Sequence, residues 1–487
     1  MIMQNKMNLL FIFTDEQMVK TMKAYGNHQI DTPNMDRLAD MSLLFERAYC
    51  TQPVCGPSRS SIMTGLYPHQ TGVTYNNLSL NKDIPCIVEM GDFSDYQKAY
   101  IGKWHLGDEI KLQHGFDEWT SIEDDFYRKY YTHDEDKMKN SSYHYYLLEN
   151  GFKPDGLLED GYSFFSREYA ADLPEPFTKA GFIGRRTVEF LERNKHHPFV
   201  AYVNFLEPHM PFSSPRNDQY RPEDMPLPGN FHHEFDDKVP LRVWARQEFS
   251  KSYGVDTEEG VRQLTAKYWG LVSMVDAQLG LILDTLEKHH LFDNTVIVFT
   301  SDHGEMMGAH RLIAKKVFYE ESIAVPMMIK IPGITPDRVS QPVSQIDLVP
   351  TLLDAMGYKP EFNIPPLPGT SWIPYLQGKG TLSDDVYIEW NHEKVLEAVP
   401  EKYTHLACDQ DKLLKSLNSS SRAIIYQQWK YIESNIGEHE LYDLSSDPLE
   451  MNNRFGDASY ANIISDLSHR IEKWKIRTED DFSVGVI

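Results

Sequence analysis

Five short apolar runs, each closing on polar residues, set the strongest limit on how this chain can fold. They are "NLLFIFTD" (Asn8 to Asp15), "KAYIGKWH" (Lys98 to His105), "FVAYVNFLEPH" (Phe199 to His209), "TVIVFTSDH" (Thr295 to His303) and "PMMIKIPG" (Pro326 to Gly333). A short run that is apolar without alternation suits a strand buried on both faces, and such strands build parallel sheets. Between the runs lie helical patterns. In the clearest, Leu264, Tyr268, Leu271, Val275, Leu279, Ile282 and Leu286 recur at three- and four-residue steps and form one apolar face. Strands alternating with helices predict an α/β domain with helices on both faces of the sheet. In such sheets the ligand sits outside the carboxyl ends of the strands. Asp15, Lys103, His209 and Asp302 each come at or near the end of a predicted strand, so the fold is expected to gather these distant residues at one edge.

The chain of 487 residues has room for two or three domains. After "SQIDLVPTLLDAMG" a Pro-rich passage, "FNIPPLPGTSWIP", reads as a linker. Beyond it "DDVYIEW", "RAIIYQQWKYIES" and "HELYDL" read as strands and Ala461 to Trp474 as a closing helix. The expected layout is an α/β domain over residues 1–370 and an α+β subdomain with an antiparallel sheet over 371–487. The acidic, tyrosine-rich segment from Ile122 to Tyr146 reads as a solvated excursion, with a wall of the substrate pocket as the alternative.

A formal net charge of -24 argues against nucleic acid or an anionic membrane as partner, since either needs a basic face. An anionic substrate would then need a local basic island. The start has one lysine and a five-residue apolar run, Leu9 to Phe13, too short for a signal-peptide core. A cytoplasmic location is the expectation, or a periplasmic or secreted one if a native leader has been trimmed.

Only four cysteines occur, Cys50, Cys55, Cys86 and Cys408, too few for a disulfide scaffold, so reduced thiols are expected. One of them has an unusual setting. In "TQPVCGPSRSSIMTGLYPHQTGV" Cys55 stands beside Gly56 and Pro57 where a helix begins. Pro57 suits a first turn, where its missing N–H costs nothing. An anionic oxygen at Cys55 would face unpaired N–H groups and the positive end of the helix dipole.

These residues carry a resemblance. The signature C-x-P-S-R-x-x-x-x-T-G is met by Cys55, Pro57, Ser58, Arg59, Thr64 and Gly65, and the chain resembles the type I, formylglycine-dependent sulfatases of the alkaline phosphatase superfamily. The similarity runs from "NLLFIFTDEQ" through "TPNMDRLAD", "GKWHLG", "EPHMPF" and "SDHGEMMGAHRLIAKKVFYEES" to "ELYDLSSDPLEMNN". It covers nearly the whole chain and is weakest between about Ile122 and Thr178.

The resemblance implies an alkaline phosphatase-like fold, a large, mostly parallel mixed sheet sandwiched by helices. It implies that a maturation enzyme, either a formylglycine-generating or an anaerobic sulfatase-maturating one, oxidises Cys55 to formylglycine (3-oxoalanine). Asp15, Asp302 and His303, with Cys55, would hold a divalent cation, calcium by family expectation, with magnesium or manganese as alternatives. Glu16 departs from the pattern, which has a second aspartate there. It can ligate with its longer arm or point elsewhere. Arg59, Lys103, His105, His209 and Lys315 would hold the sulfate and move protons, and Lys315 is preferred over Lys316 because it stands four residues before Tyr319. In the implied reaction His209, or else Lys315, protonates the leaving oxygen, and His105 takes a proton from the hydrated aldehyde as sulfate departs. The implied substrate is a small sulfated sugar. A phosphonate monoester or phosphodiester hydrolase of the same superfamily is the alternative, and an unmatured chain that only binds sulfated glycans is a further one. His392 and Arg422, in the region that borders the pocket in this family, read as ordinary surface residues.

Overall fold

A computed structural model describes residues 6–131, 133–358, 366–392 and 394–484. The strands and helices that matter for function are numbered here in chain order. Strands of the main sheet are β1 (Asn8–Asp15), β2 (Leu43–Phe45), β3 (Gln97–Gly102), β4 (Glu118–Thr120), β5 (Phe199–Pro208), β6 (Thr295–Ser301), β7 (Met327–Lys330) and β8 (Asp337–Val339). They lie in the order β8-β2-β7-β6-β1-β5-β3-β4. The five neighbouring strands β6, β1, β5, β3 and β4 are mutually parallel, and all eight residues of β1 are buried.

Alternation along each strand splits the core in two. Leu9, Phe11, Phe13, Val200, Tyr202 and Val298 face one layer, which includes Ile62 and Met63 of helix α2 (Cys55–Thr64). Leu10, Ile12, Ala201, Val203 and Phe299 face the other, built on α1 (Pro33–Asp40), α3 (Lys179–Asn194) and α4 (Glu258–Lys288). Both faces of the sheet are therefore dry, which is why its strands read as unbroken apolar runs. Helix α4 begins six residues before the periodic stretch and spans 31 residues. By length and composition it could cross a membrane, but 83% of its most apolar window is buried within the fold, so it is a core helix.

One predicted strand runs the other way. Met327–Lys330 pairs antiparallel with β6, Met327 opposite Thr300 and Lys330 opposite Ile297. The segment that follows Ser301 stays at the carboxyl edge, so the next strand starts there and runs back.

The C-terminal strands β9 (Asp385–Trp390), β10 (Ser421–Tyr426), β11 (Trp429–Ser434) and β12 (Glu440–Asp443) form a separate antiparallel sheet. One face, with Ile388, Ala423 and Ile432, joins the main core. The other, with Tyr387, Ile424 and Leu441, is covered by Leu467, Ile471 and Trp474 of α5 (Ala461–Thr478). In the Pro-rich passage Phe362 to Pro365 lie outside the described residues, while Trp372 is buried against Phe45.

The tyrosine-rich segment is not the solvated excursion its composition suggests. Glu123, Tyr127, Tyr131, Tyr143 and Tyr146 are buried. Glu123 pairs with both Arg167 and Lys179, and burying that carboxylate with two cations removes the charge that made the segment look solvated.

Candidate active site

Asp15 is the last residue of β1, and Lys103, His209 and Asp302 each follow directly on the ends of β3, β5 and β6. These four strands are adjacent and parallel, so their carboxyl ends meet. Gly102 has φ of 126°, and a Cβ there would stand 1.9 Å from the Asn204 carbonyl oxygen. Glycine is thus required where the chain turns off β3 to present Lys103. Helix α2, buried along all ten residues, points its N-terminus at the same edge with Cys55 as its first residue. Gly65, at φ of 69°, ends it by donating to the Ser61 carbonyl.

Arg59, one turn into α2, organises the cluster. Its Nε donates to Asp302 Oδ2 at 3.0 Å, Nη2 to Asp15 Oδ2 at 2.9 Å, and Nη1 to Asn204 Oδ1 at 2.8 Å and the Lys103 carbonyl at 2.7 Å. Lys103 Nζ donates to the same Asp15 Oδ2 at 2.6 Å. Two cations thus take one oxygen of Asp15 and leave Oδ1 turned the other way. That oxygen lies 3.6 Å from Cys55 Sγ and 3.9 Å from His303 Nε2. His303 Nε2 is 3.2 Å from Cys55 Sγ and 3.5 Å from Asp302 Oδ1. Its Nδ1 is 2.9 Å from the Gly304 carbonyl, a partner that makes Nδ1 the donor and aims the other nitrogen inward.

The donor set fits a divalent cation: two carboxylate oxygens and an imidazole nitrogen converge, completely buried, with Cys55 closing the group. Electrostatics agree. Burial pulls the His303 imidazole down, yet Asp302 and then Cys55 lift it to about 9, so a proton there compensates the carboxylates as a cation would. Burial alone would raise Asp15, but Lys103 and Arg59 hold it well below the usual carboxylate range.

Glu16 lies outside that cluster. Its Oε2 accepts from Lys315 Nζ at 2.9 Å and lies 3.4 Å from His209 Nε2, while Oε1 is buried without a hydrogen-bond partner among the described residues. Its backbone is held in the left-handed region, φ 72°, with its N–H on Asp302 Oδ1 and its carbonyl taking the Tyr268 hydroxyl at 2.6 Å. Burial raises its carboxyl to about 8 against the opposing charge of Lys315, with Glu305 adding to the rise. Its side chain therefore faces Lys315 and His209, and Lys315, not Lys316, makes that contact.

His105 and His209 both sit well below the ordinary imidazole range, burial first, then Lys103 and Arg59 around His105 and Lys315 beside His209. His209 Nδ1 is 2.7 Å from the Met210 carbonyl, a partner that makes it a donor and leaves Nε2 facing Glu16. His105 Nε2 faces Asn77 Oδ1 at 3.2 Å, and Glu109 takes both the His105 and Trp104 backbone N–H groups. Cys55, Arg59, Lys103, His105, His209, Lys315, Asp15, Asp302 and His303 thus meet at or beside one edge, where Arg59, Lys103 and Lys315 stand against the carboxylates of Asp15, Asp302 and Glu16.

Sequence reasoning missed Asn204, Asn76, Asn77, Glu109, Tyr127 and Arg167. Asn204 carried a signal, a polar side chain inside an otherwise apolar strand. Asn76 Oδ1 accepts from the Gly56 N–H at 2.9 Å, taking up one donor of the α2 first turn. The Tyr127 ring lies 4.8 Å from that of His105, and its hydroxyl is 3.4 Å from Arg167.

Arg422 is not a surface residue. It is buried and clasps Asp480 with Nε and Nη2, while Nη1 reaches Asn391, whose amide bonds Gln52 just ahead of Cys55. His392 is half-buried on Ser420. Arg422→Ala leaves Asp480 charged and unpaired, and a loss of about 3–5 kcal/mol is expected in denaturant unfolding. The Asp480 carboxyl is lowered: burial opposes the shift, and Arg422 drives it. Its contribution is therefore present above the unfolded carboxylate range and lost as pH falls through the folded value. The deficit of the variant should shrink below about pH 4.

The chain is 28% identical to the N-acetylglucosamine-6-O-sulfatase of Bacteroides thetaiotaomicron over 97% of its own length and 87% of that protein's. Its fold superposes on the phosphonate monoester hydrolase of Silicibacter pomeroyi with TM-score 0.78 at 21% identity, covering 98% and 96% of the two chains. A structure solved with its substrate D-glucosamine-2-N,6-O-disulfate gives TM-score 0.73 at 23% identity over 98% of this chain and 99% of that one. The family model described as N-sulphoglucosamine sulphohydrolase, C-terminal, matches residues 308–477. The model described as Sulfatase matches residues 7–358, most of the chain and every residue of this edge, and this chain accordingly belongs to the sulfatase family of sulfuric ester hydrolases.

Proposed function

We propose that the enzyme hydrolyses a sulfate ester of a sugar or glycan fragment through formylglycine made from Cys55 and a divalent cation, calcium first. The observation that carries this reading is the convergence of Cys55 Sγ, Asp15, Asp302 and His303 at the N-terminus of a buried helix, with Arg59 and Lys103 beside them. The sulfur stands in for the oxygens the oxidised residue would carry. The relative named as a glucosamine sulfatase supports the sugar.

A cation held by Asp15, Asp302 and His303 would supply Lewis-acid charge for the nucleophile and the ester. A hydrated aldehyde at position 55 would offer one hydroxyl for attack on sulfur and a second through which sulfate is later expelled. The chain's own groups do the rest. Lys103 and Lys315 bring positive charge to the sulfate oxygens, while Arg59, its donors taken by Asp15, Asp302 and Asn204, fixes the carboxylates. Lys315 keeps the His209 ring neutral before substrate arrives, and the incoming sulfate anion offsets Lys315, so that His209 Nε2 can carry a proton to the departing alcohol oxygen. His105, held neutral and pinned by Glu109, accepts the proton at its ring as sulfate leaves. A maturation enzyme is the proposed partner and the cytoplasm the proposed place of action.

A desulfation screen with defined sulfated saccharides tests this, run beside a phosphodiester with the leaving group of the best sulfate ester. We expect kcat/KM to favour the sulfate ester. A preference for the phosphodiester would move the enzyme to the phosphonate and phosphodiester hydrolases, whose fold it shares.

A further inference from the structure

Away from the catalytic edge, Cys86, Glu89 and His114 bring a thiol, a carboxylate and an imidazole within 4.8 Å of one another. Cys86 caps the single turn Ile87–Glu89, which sets Glu89 back over it, and the Cys86 N–H donates to Glu89 Oε2 at 2.9 Å. His114 comes from a separate loop. It has φ of 49°, and the next residue, Gly115, has φ of 75° and lies where a Cβ would stand 2.7 Å from Glu89 Cγ. Two successive left-handed residues, the second a glycine by necessity, thus bring the imidazole up to the carboxylate.

The imidazole is the telling group. The His114 side chain is 3% exposed, its Nδ1 lies 3.7 Å from Glu89 Oε2, and that nitrogen has no hydrogen-bond partner among the described residues. At that distance Glu89 is an ion-pair neighbour and not a hydrogen-bond acceptor, and buried polar atoms without a hydrogen bond are rare in native proteins. Cys86 is fully buried, whereas the Glu89 side chain is 33% exposed, which leaves a way in from solvent. A soft thiolate beside an imidazole and one carboxylate selects zinc-type ions over calcium or magnesium.

We propose that Cys86, Glu89 and His114 form a zinc-binding site separate from the catalytic cation site. The three side chains close by about an ångström onto ligand distances of roughly 2.0–2.3 Å, and water entering past Glu89 completes the tetrahedron. On binding, the Cys86 S–H proton leaves to solvent and a thiolate–zinc bond forms. The ion braces the loop that carries Lys103 and His105, because the His114 ring packs on Trp104 at 5.6 Å.

The test uses full-length Cys55→Ser protein loaded with calcium, so that neither the Cys55 thiol nor the catalytic cluster takes up zinc. Zinc after dialysis should be one ion per chain by elemental analysis. Cobalt in its place should show thiolate-to-metal charge-transfer absorption, and melting temperature should rise with zinc. Cys86→Ser in the same background should lose the ion, the absorption and the thermal gain. Glu89→Gln, at the solvent side, is the second variant should Cys86→Ser fail to fold. No retained zinc, cobalt bound without a thiolate band, or zinc retained equally in the folded variants would overturn the proposal.

Discussion

Asp302→Ala protein is expected to lose turnover by roughly 10³-fold or more, because several kcal/mol of charge stabilisation disappear with one ligand and each 1.36 kcal/mol is tenfold. Asp302 is fully buried, with Oδ1 facing His303 and Oδ2 on Arg59 Nε. Its removal opens the cation cluster while Arg59 keeps Asp15, Asn204 and the Lys103 carbonyl. The fold should survive, since no apolar side chain of either core layer depends on that carboxylate. Metal content, melting temperature and activity measured on one preparation decide the matter. Retained activity in protein that has lost its metal would show the cation to be incidental. A collapse in melting temperature would show that Asp302 serves the fold, and Asp302→Asn, which keeps the contact to Arg59 in outline, would then replace it.

For His209→Ala the loss should depend on the leaving group. A sugar alkoxide is a strong base and does not depart readily without a proton, whereas nitrophenolate leaves unaided. General acid catalysis is worth about 10²–10⁴-fold, so kcat/KM for a sugar sulfate should fall by that much more than for nitrophenyl sulfate. The geometry allows a rival, because Lys315 Nζ and His209 Nε2 both face Glu16 Oε2, at 2.9 and 3.4 Å. Equal losses on the two substrates would reject the acid role for His209, and Lys315→Ala should then show the leaving-group dependence instead.

The residues legible in advance are those whose position follows from the sheet. Asp15, Lys103, His209 and Asp302 were found because four parallel strands end beside one another, and each strand announces itself by an apolar run. Cys55 and Arg59 were found because helix α2 starts at Cys55 and Arg59 lies one turn on. Tertiary pairing was harder to read. Nothing local in "PMMIKIPG" says parallel or antiparallel, since burial on both faces gives the same pattern either way. The acidic composition of Ile122 to Tyr146 concealed Glu123, whose burial depends on Arg167 and Lys179, more than forty residues away. Arg422 looked like a surface charge until Asp480, from beyond α5, closed over it. Glu16 kept the carboxyl group of the expected aspartate and added one methylene, and only the structure shows that group on Lys315.

If Cys55 acts as an aldehyde and not as a thiol, its peptide carries the mark. The direct measurement is the mass of the peptide spanning Cys55, taken from the same fully active preparation whose turnover has been recorded and made beside a competent maturation enzyme. Formylglycine is expected at position 55, with activity proportional to its fraction across preparations. An unmodified thiol in fully active protein would contradict it.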